Sequence, residues 1–179
     1  MSAELVEKEL PLQLLPYGMR AFLQALHNAT VDLIDSRASY IEQEEMFAVF
    51  DQADFTKAYA FLYIGLAKYA APLSLTSEEL PTRILLHVSG KRRQSGVPLS
   101  SEDILPERED VRCLLDRILR ENGIAFLLRE EKDVLTLSIS LPRFLVDRYE
   151  VAAKDTLSLC SYVYSAMRLL AGLSPYGNV

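Results

Sequence analysis

Apolar positions recur at helical spacing from Tyr17 to about Ser36. Met19, Phe22, Leu23, Leu26, Ala29, Leu33 and Ile34, with Thr30 among them, fall on one stripe that predicts a helix with one buried face. The run Met46 to Phe50 is short and apolar and predicts a strand at 46–50. Asp51 or Asp54 then supplies a helix N-cap, since a carboxylate there accepts the first-turn N–H groups that have no partner within the helix. From Phe55 to Ala70 the apolar residues cover most of the circumference, so this helix is expected to be buried on more than one side, with Pro72 ending it.

Beyond Pro72 the period changes. Leu73 to Leu75 reads as a short strand, Ser77 to Pro81 as a turn, and Arg83 to Ser89 as a strand rich in β-branched and apolar residues. Residues 90–109 are polar, with two glycines, two prolines and adjacent basic and acidic clusters, and are expected to form a long mobile connection. Asp110 or a nearby acid caps a helix through Val111, Leu114, Leu115, Ile118 and Leu119 that stops at Asn122-Gly123. A hairpin follows, with strands at Ile124–Arg129 and Val134–Leu141 around the charged turn Glu130 to Asp133. In its second strand Leu135, Leu137, Ile139 and Leu141 alternate with Thr136, Ser138 and Ser140. A last helix runs from Ala152 or Asp155 to Ala171, with Leu159, Cys160, Val163, Met167 and Leu170 on one face and Leu157, Tyr164 and Ala171 widening it.

This order predicts an α+β fold: a two-layer α/β sandwich with a mixed, mostly antiparallel sheet, helices on one sheet face, and an added C-terminal helix. The expected organisation is a tail at 1–9, a domain at 10–142, and a linker with the final helix at 143–179.

Composition narrows the function. The chain has 179 residues, half of them hydrophobic, and a net charge of −6, which is enough for a core without metal or disulfide staples. A nonspecific nucleic-acid binder needs a basic excess, so that class is excluded. Cys113 and Cys160 lie in apolar helical patterns outside any metal-ligand spacing. The N-terminus MSAELVEKEL lacks the apolar stretch of a signal peptide, and no apolar run reaches the roughly 18–20 residues of a membrane span. A soluble, cytoplasmic protein is expected.

Two segments resemble the ATPase domain of bacterial sensor histidine kinases, which has the GHKL or Bergerat-like fold. Asp54 to Pro72, DFTKAYAFLYIGLAKYAAP, is similar to the helix that carries the family's asparagine motif, most clearly at Lys68-Tyr69. Val111 to Pro142 resembles the end of that domain, where a helix closes at a glycine and a hairpin ends in Leu-Pro; here these are Glu121-Asn122-Gly123 and Leu141-Pro142. The resemblance implies ATP and magnesium as cofactors and a place in two-component signalling.

The departures from that pattern imply the loss of both cofactors. Gly65 stands where the family's magnesium-binding asparagine is aligned. The end of the strand at 83–89 offers His87, Ser89 and Gly90 and no carboxylate for an adenine amino group. Glu107-Arg108-Glu109-Asp110 replaces the glycine-rich turn that cradles phosphates, and its three carboxylates oppose a triphosphate by Coulomb repulsion. Gly65, Lys68, Ser89, Gly90 and Asp110 therefore mark a degenerate nucleotide site.

The expected function is a non-catalytic signalling module that binds another protein, such as a histidine kinase or a response regulator, with no cofactor. Lys91, Arg92 and Arg93 are candidate oxyanion or acidic-partner contacts, although three basic residues in a loop also read as a solvated cluster. Leu159, Val163 and Met167 on the last helix are candidates for a partner face or a homodimer, against packing on the chain's own open face. Two alternatives stand beside this reading. One is a domain that still binds nucleotide, with Asn122, Asp110 and Lys68 as polar candidates. The other is a phosphotransfer protein using His27, whose simpler reading is an ordinary helix histidine. Neither His27 nor His87 has partners in sequence that suggest hydrolytic or metal chemistry.

Overall fold

A computed structural model describes residues 11–145 and 151–173. The chain opens with a short strand, β1 (Leu15–Gly18), that runs directly into helix α1 (Met19–Leu33). Strands β2 (Ser39–Tyr40) and β3 (Phe47–Phe50) precede helix α2 (Gln52–Ala67), which leads to strands β4 (Ser74–Glu79) and β5 (Arg83–Lys91). A 3-10 turn (Ser101–Ile104) and helix α3 (Glu109–Asn122) then lead into the hairpin of β6 (Ala125–Glu131) and β7 (Val134–Pro142), and helix α4 (Thr156–Leu170) closes the described chain.

The main sheet has five strands in the order β2-β4-β5-β7-β6. Only β2–β4 is parallel; β4–β5, β5–β7 and β6–β7 are antiparallel. Strands β1 and β3 form a separate antiparallel pair, joined to the end of β7 through the Phe144 N–H to Phe47 carbonyl bond of 2.8 Å. The α+β two-layer arrangement expected from the sequence is present.

Alternation in the strands sets the layers. Leu75 on β4, Ile84, Leu86 and Val88 on β5, Leu135, Leu137, Ile139 and Leu141 on β7, and Leu128 on β6 all point to the buried face. Helices α1, α2 and α3 add Phe22, Leu23, Leu26, Leu62, Leu66, Leu115 and Ile118 to the same core. An aromatic row links the β1–β3 pair to α2. Tyr17 meets Phe50 at 4.8 Å between ring centroids, Phe50 meets Phe55 at 5.1 Å, and the row continues through Tyr59 to Tyr63 at 6.2 and 5.7 Å.

Helix α2 is apolar all round because it is covered on both sides, by the core below and by α4 above. Leu159, Val163, Ala166 and Leu169 of α4 are buried and belong to the same continuous core. Asp51 caps α2 by accepting the Asp54 N–H at 2.9 Å, and Asp155 caps α4 by accepting the Ser158 N–H at 2.9 Å. At the other end of α3, Gly123 takes the left-handed conformation (φ 64°) that ends the helix.

Several expectations are corrected. The first helix begins at Met19 because Tyr17 pairs with Ala48 in a strand. The second ends at Ala67, three residues early, because the segment after it turns to bond with the end of β5, the Ala71 N–H donating to the Lys91 carbonyl at 3.0 Å. Residues 77–79 are strand rather than turn, because Ser77, Glu78 and Glu79 pair with Leu86, Leu85 and Ile84. Asp110 is not the cap of α3: Arg108 takes that position, and Glu109 and Asp110 lie in the first turn, where the helix dipole favours carboxylates. The hairpin turn contracts to Lys132-Asp133, both with positive φ, as a two-residue turn matched to strand twist requires.

Candidate functional site

Of the five positions expected from the sequence to mark a degenerate nucleotide site, four fall into two groups. Gly65 and Lys68 lie at the C-terminal end of α2, facing the segment that connects β5 to α3. At Gly65 the reason for glycine is steric. A Cβ there would fall inside the van der Waals shell of the Ile104 carbonyl oxygen, 2.9 Å from its carbon and 3.2 Å from the Ile104 Cβ. The 3-10 turn therefore rests directly on the α2 backbone. Its own geometry is fixed by a capping box, in which the Ser100 N–H donates to Asp103 Oδ2 at 2.6 Å, and the Leu128 N–H donates to Ser101 Oγ at 2.9 Å. A connection expected to be structureless thus carries an anchored turn in its second half.

Ser89 and Gly90 form the second group, at the end of β5. Ser89 pairs with Ser74 and Thr136, and Gly90 with Leu135. A Cβ on Gly90 would stand 2.5 Å from the Pro72 carbonyl oxygen, so the loop after α2 closes over this position as well. Asp110 is held by Arg108, Nη2 to Oδ2 at 2.6 Å. The other guanidinium nitrogen, Nη1, donates to the Leu169 carbonyl at 3.2 Å, placing a cation at the C-terminal end of α4, where the helix dipole is negative.

Arg92 is corrected as an exposed contact. Its side chain is 8% exposed, and it donates to Glu130 Oε1 at 2.7 Å and to the Val97 carbonyl at 2.9 Å. Arg93 Nε donates to the Ala67 carbonyl at 3.1 Å, closing the end of α2. Lys91 alone of the three keeps an ammonium that no hydrogen bond or ion pair among the described residues engages. Leu159 and Val163 are likewise corrected as a partner face, because the groove between α1 and α2 takes them up completely. Met167 is half-buried, and the exposed apolar residues of α4 are Leu157 and Tyr164.

Asn122 is structural. Its Oδ1 accepts the Asp51 N–H at 2.7 Å, while its Nδ2 donates to the Ile118 carbonyl at 3.0 Å and to Asp54 Oδ2 at 3.2 Å. It ties the end of α3 to the start of α2. Beside it, burial and the Asp51 carboxylate raise the pKa of Asp54, and burial lowers that of Lys57. His27 is half-buried against the Tyr40 ring, 5.8 Å between centroids, and burial lowers its pKa.

Pairing between strands produces one constellation that spacing along the chain conceals. On the open sheet face, His87 Nδ1 meets Ser138 Oγ at 2.8 Å and Nε2 meets Glu78 Oε2 at 3.0 Å. The register of β4, β5 and β7 is the signal that would have found it. The neighbouring backbone N–H groups are engaged in the sheet, so this row has no donors for an oxyanion and serves as a cross-strand polar ladder.

Helix α2, the 104–108 segment, the start of α3 and the end of α4 enclose a cleft of about 370 Å³. Phe61, Ile64, Ile104, Leu105, Pro106, Val111, Met167 and Leu170 line it, with Lys68, Glu107 and Arg108 supplying its charged side chains. Among the described residues no three His, Cys, Asp or Glu side chains gather as a metal site, and no helix is long and apolar enough to cross a membrane.

No family model and no curated protein matches the chain. Its fold, however, matches solved structures. The ATP binding domain of PrrB from Mycobacterium tuberculosis aligns with a TM-score of 0.56 at 18% identity, over 74% of this chain and 98% of that one. The Acinetobacter baumannii histidine kinase AdeS aligns at 0.53 and 12% identity, over 79% and 73%. The histidine kinase ThkA in complex with the response regulator protein TrrA aligns at 0.57 and 13% identity, over 79% of this chain and 46% of that one. The chain has the fold of histidine kinase ATP-binding domains, as the segments at 54–72 and 111–142 imply.

Proposed function

We propose that this chain is a non-catalytic signalling module: a histidine-kinase-type ATPase fold that acts by binding another protein and does not bind nucleotide. The packing of Ile104 on Gly65 carries the reading. The position aligned with a magnesium-binding asparagine has no side chain, and backbone occupies the space in which one would stand. The nearby carboxylates agree with it, since Glu107, Glu109 and Asp110 place negative charge beside the start of α3, where phosphates would otherwise meet helix N–H groups.

A histidine kinase or a response regulator is the proposed partner. The support is by analogy of fold, one matching structure being a histidine kinase in complex with a response regulator protein. The test is a thermal shift of the chain with Mg-ATP and Mg-ADP at millimolar concentration. A ligand that binds only the native state raises its melting temperature by mass action. No shift is expected, and a clear rise with either nucleotide overturns the reading.

A further inference from the structure

The cleft between α2, the 104–108 segment and α4 lies at the Gly65 and Lys68 positions, and the function proposed above leaves it without a ligand. We propose that it is a binding site for a small monoanion with an apolar body, such as an aromatic or medium-chain carboxylate or sulfonate. Its volume, about 370 Å³, lies in the range of small-molecule sites. The walls are apolar on three sides: Phe61 and Ile64 from α2, Ile104, Leu105 and Pro106 from the connection, and Met167 and Leu170 from α4. The α4 wall lies beyond the hairpin at which the sequence resemblance ends.

The charged groups select the head group. The Lys68 ammonium is exposed and has no hydrogen bond or ion pair among the described residues. Arg108 spends two nitrogens on Asp110 and Leu169 and retains further N–H donors. Glu107 adds a carboxylate to the lining. With Arg108 already paired to Asp110, the Lys68 ammonium is the cation left to take a single negative charge, while a polyanion meets Glu107 and the acidic first turn of α3. The apolar walls give no partners to three phosphates, so the same geometry that admits an amphipathic monoanion excludes a triphosphate.

The site is tested with 1-anilinonaphthalene-8-sulfonate as the anionic probe and N-phenyl-1-naphthylamine as its neutral counterpart, each followed by fluorescence titration of the folded chain. The expected result is saturable one-to-one binding of the anionic probe, with a rise in melting temperature. Lys68→Gln, a change at an exposed side chain, should weaken the anionic probe about three- to fivefold and leave the neutral one within about twofold. Leu170→Trp from the α4 wall and Ile64→Phe from the α2 wall fill the cleft independently. Either one, shown to fold by its circular dichroism and cooperative melting, should abolish saturable binding. Absence of saturable binding, or binding indifferent to all three substitutions, overturns the site and leaves the nucleotide-free reading intact. Displacement of the probe by Mg-ATP overturns both the ligand class and that reading.

Discussion

The Ile104 backbone sits on Gly65 so closely that even a methyl group on Gly65 would overlap the carbonyl of Ile104. One contact therefore joins the missing side chain of α2 to the position of the connection that crosses it. Gly65→Ala must displace either the 3-10 turn or the helix. It is expected to cost about 1–3 kcal/mol, the usual range for overpacking a tight contact. Denaturant titration reads the loss, and an unchanged midpoint would show that the turn yields freely. The larger change, Gly65→Asn, should lower stability further without creating nucleotide affinity.

Asn122 answers three groups on two helices with one amide. Asn122→Ala leaves the Asp51 N–H without its acceptor in a buried place, which is expected to cost about 1–3 kcal/mol. For a chain of this size that lowers the melting temperature by roughly 2–4 °C per kcal/mol. Scanning calorimetry checks it, and a nucleotide-binding role for Asn122 would instead appear as lost ligand response with stability kept.

Asp51 holds both the start of α2 and the entering chain, accepting the Asp54 N–H at 2.9 Å and the Gln13 N–H at 2.8 Å. Asp51→Ala should cost about 1 kcal/mol for the lost cap, and hydrogen exchange should accelerate at Gln13 and Asp54 ahead of the sheet.

Tyr59 is fully buried and its hydroxyl is held protonated far above the ordinary value of 10.0. Burial, with the neighbouring Tyr59 and Asp35, does the same for Tyr63. In the unfolded chain both phenols ionise from about pH 10, so the stability they confer is complete below that pH and is lost as pH rises above it. Urea titrations from pH 9 to 11 should show a falling midpoint in the wild type and a shallower fall in Tyr59→Phe. Equal slopes would remove Tyr59 from the alkaline limb.

The helices and the hairpin were legible because their apolar periods are set by the same burial that the fold provides. Phe55 to Leu66 reads as apolar all round, and α4 lying over α2 is the physical counterpart of that pattern. Strand β1 was not legible: Leu15-Pro16-Tyr17-Gly18 is too short for a period, and its partner Phe47–Phe50 is about thirty residues away. Gly65 stood out in the sequence against the resembled family pattern, and the structure sets the Ile104 backbone against it. The role of Arg92 was not legible, because a basic run reads as solvated until Glu130 is brought beside it across the β5, β7 and β6 register. For the α4 residues Leu159 and Val163 the sequence left two readings open, a partner face or the chain's own open face, and the structure takes the second. An apolar stripe states that something covers it, and the cover here is α1 and α2 of the same chain.

The most direct measurement is a nitrogen-15 amide spectrum of the chain titrated with millimolar Mg-ATP. The account predicts no concentration-dependent shift at Gly65, Lys68, Ser89, Gly90 or Asp110 beyond that produced by matched magnesium and ionic strength. Saturable shifts clustered on α2, the Ser101–Ile104 turn and the first turn of α3 would contradict it and restore nucleotide binding to this fold.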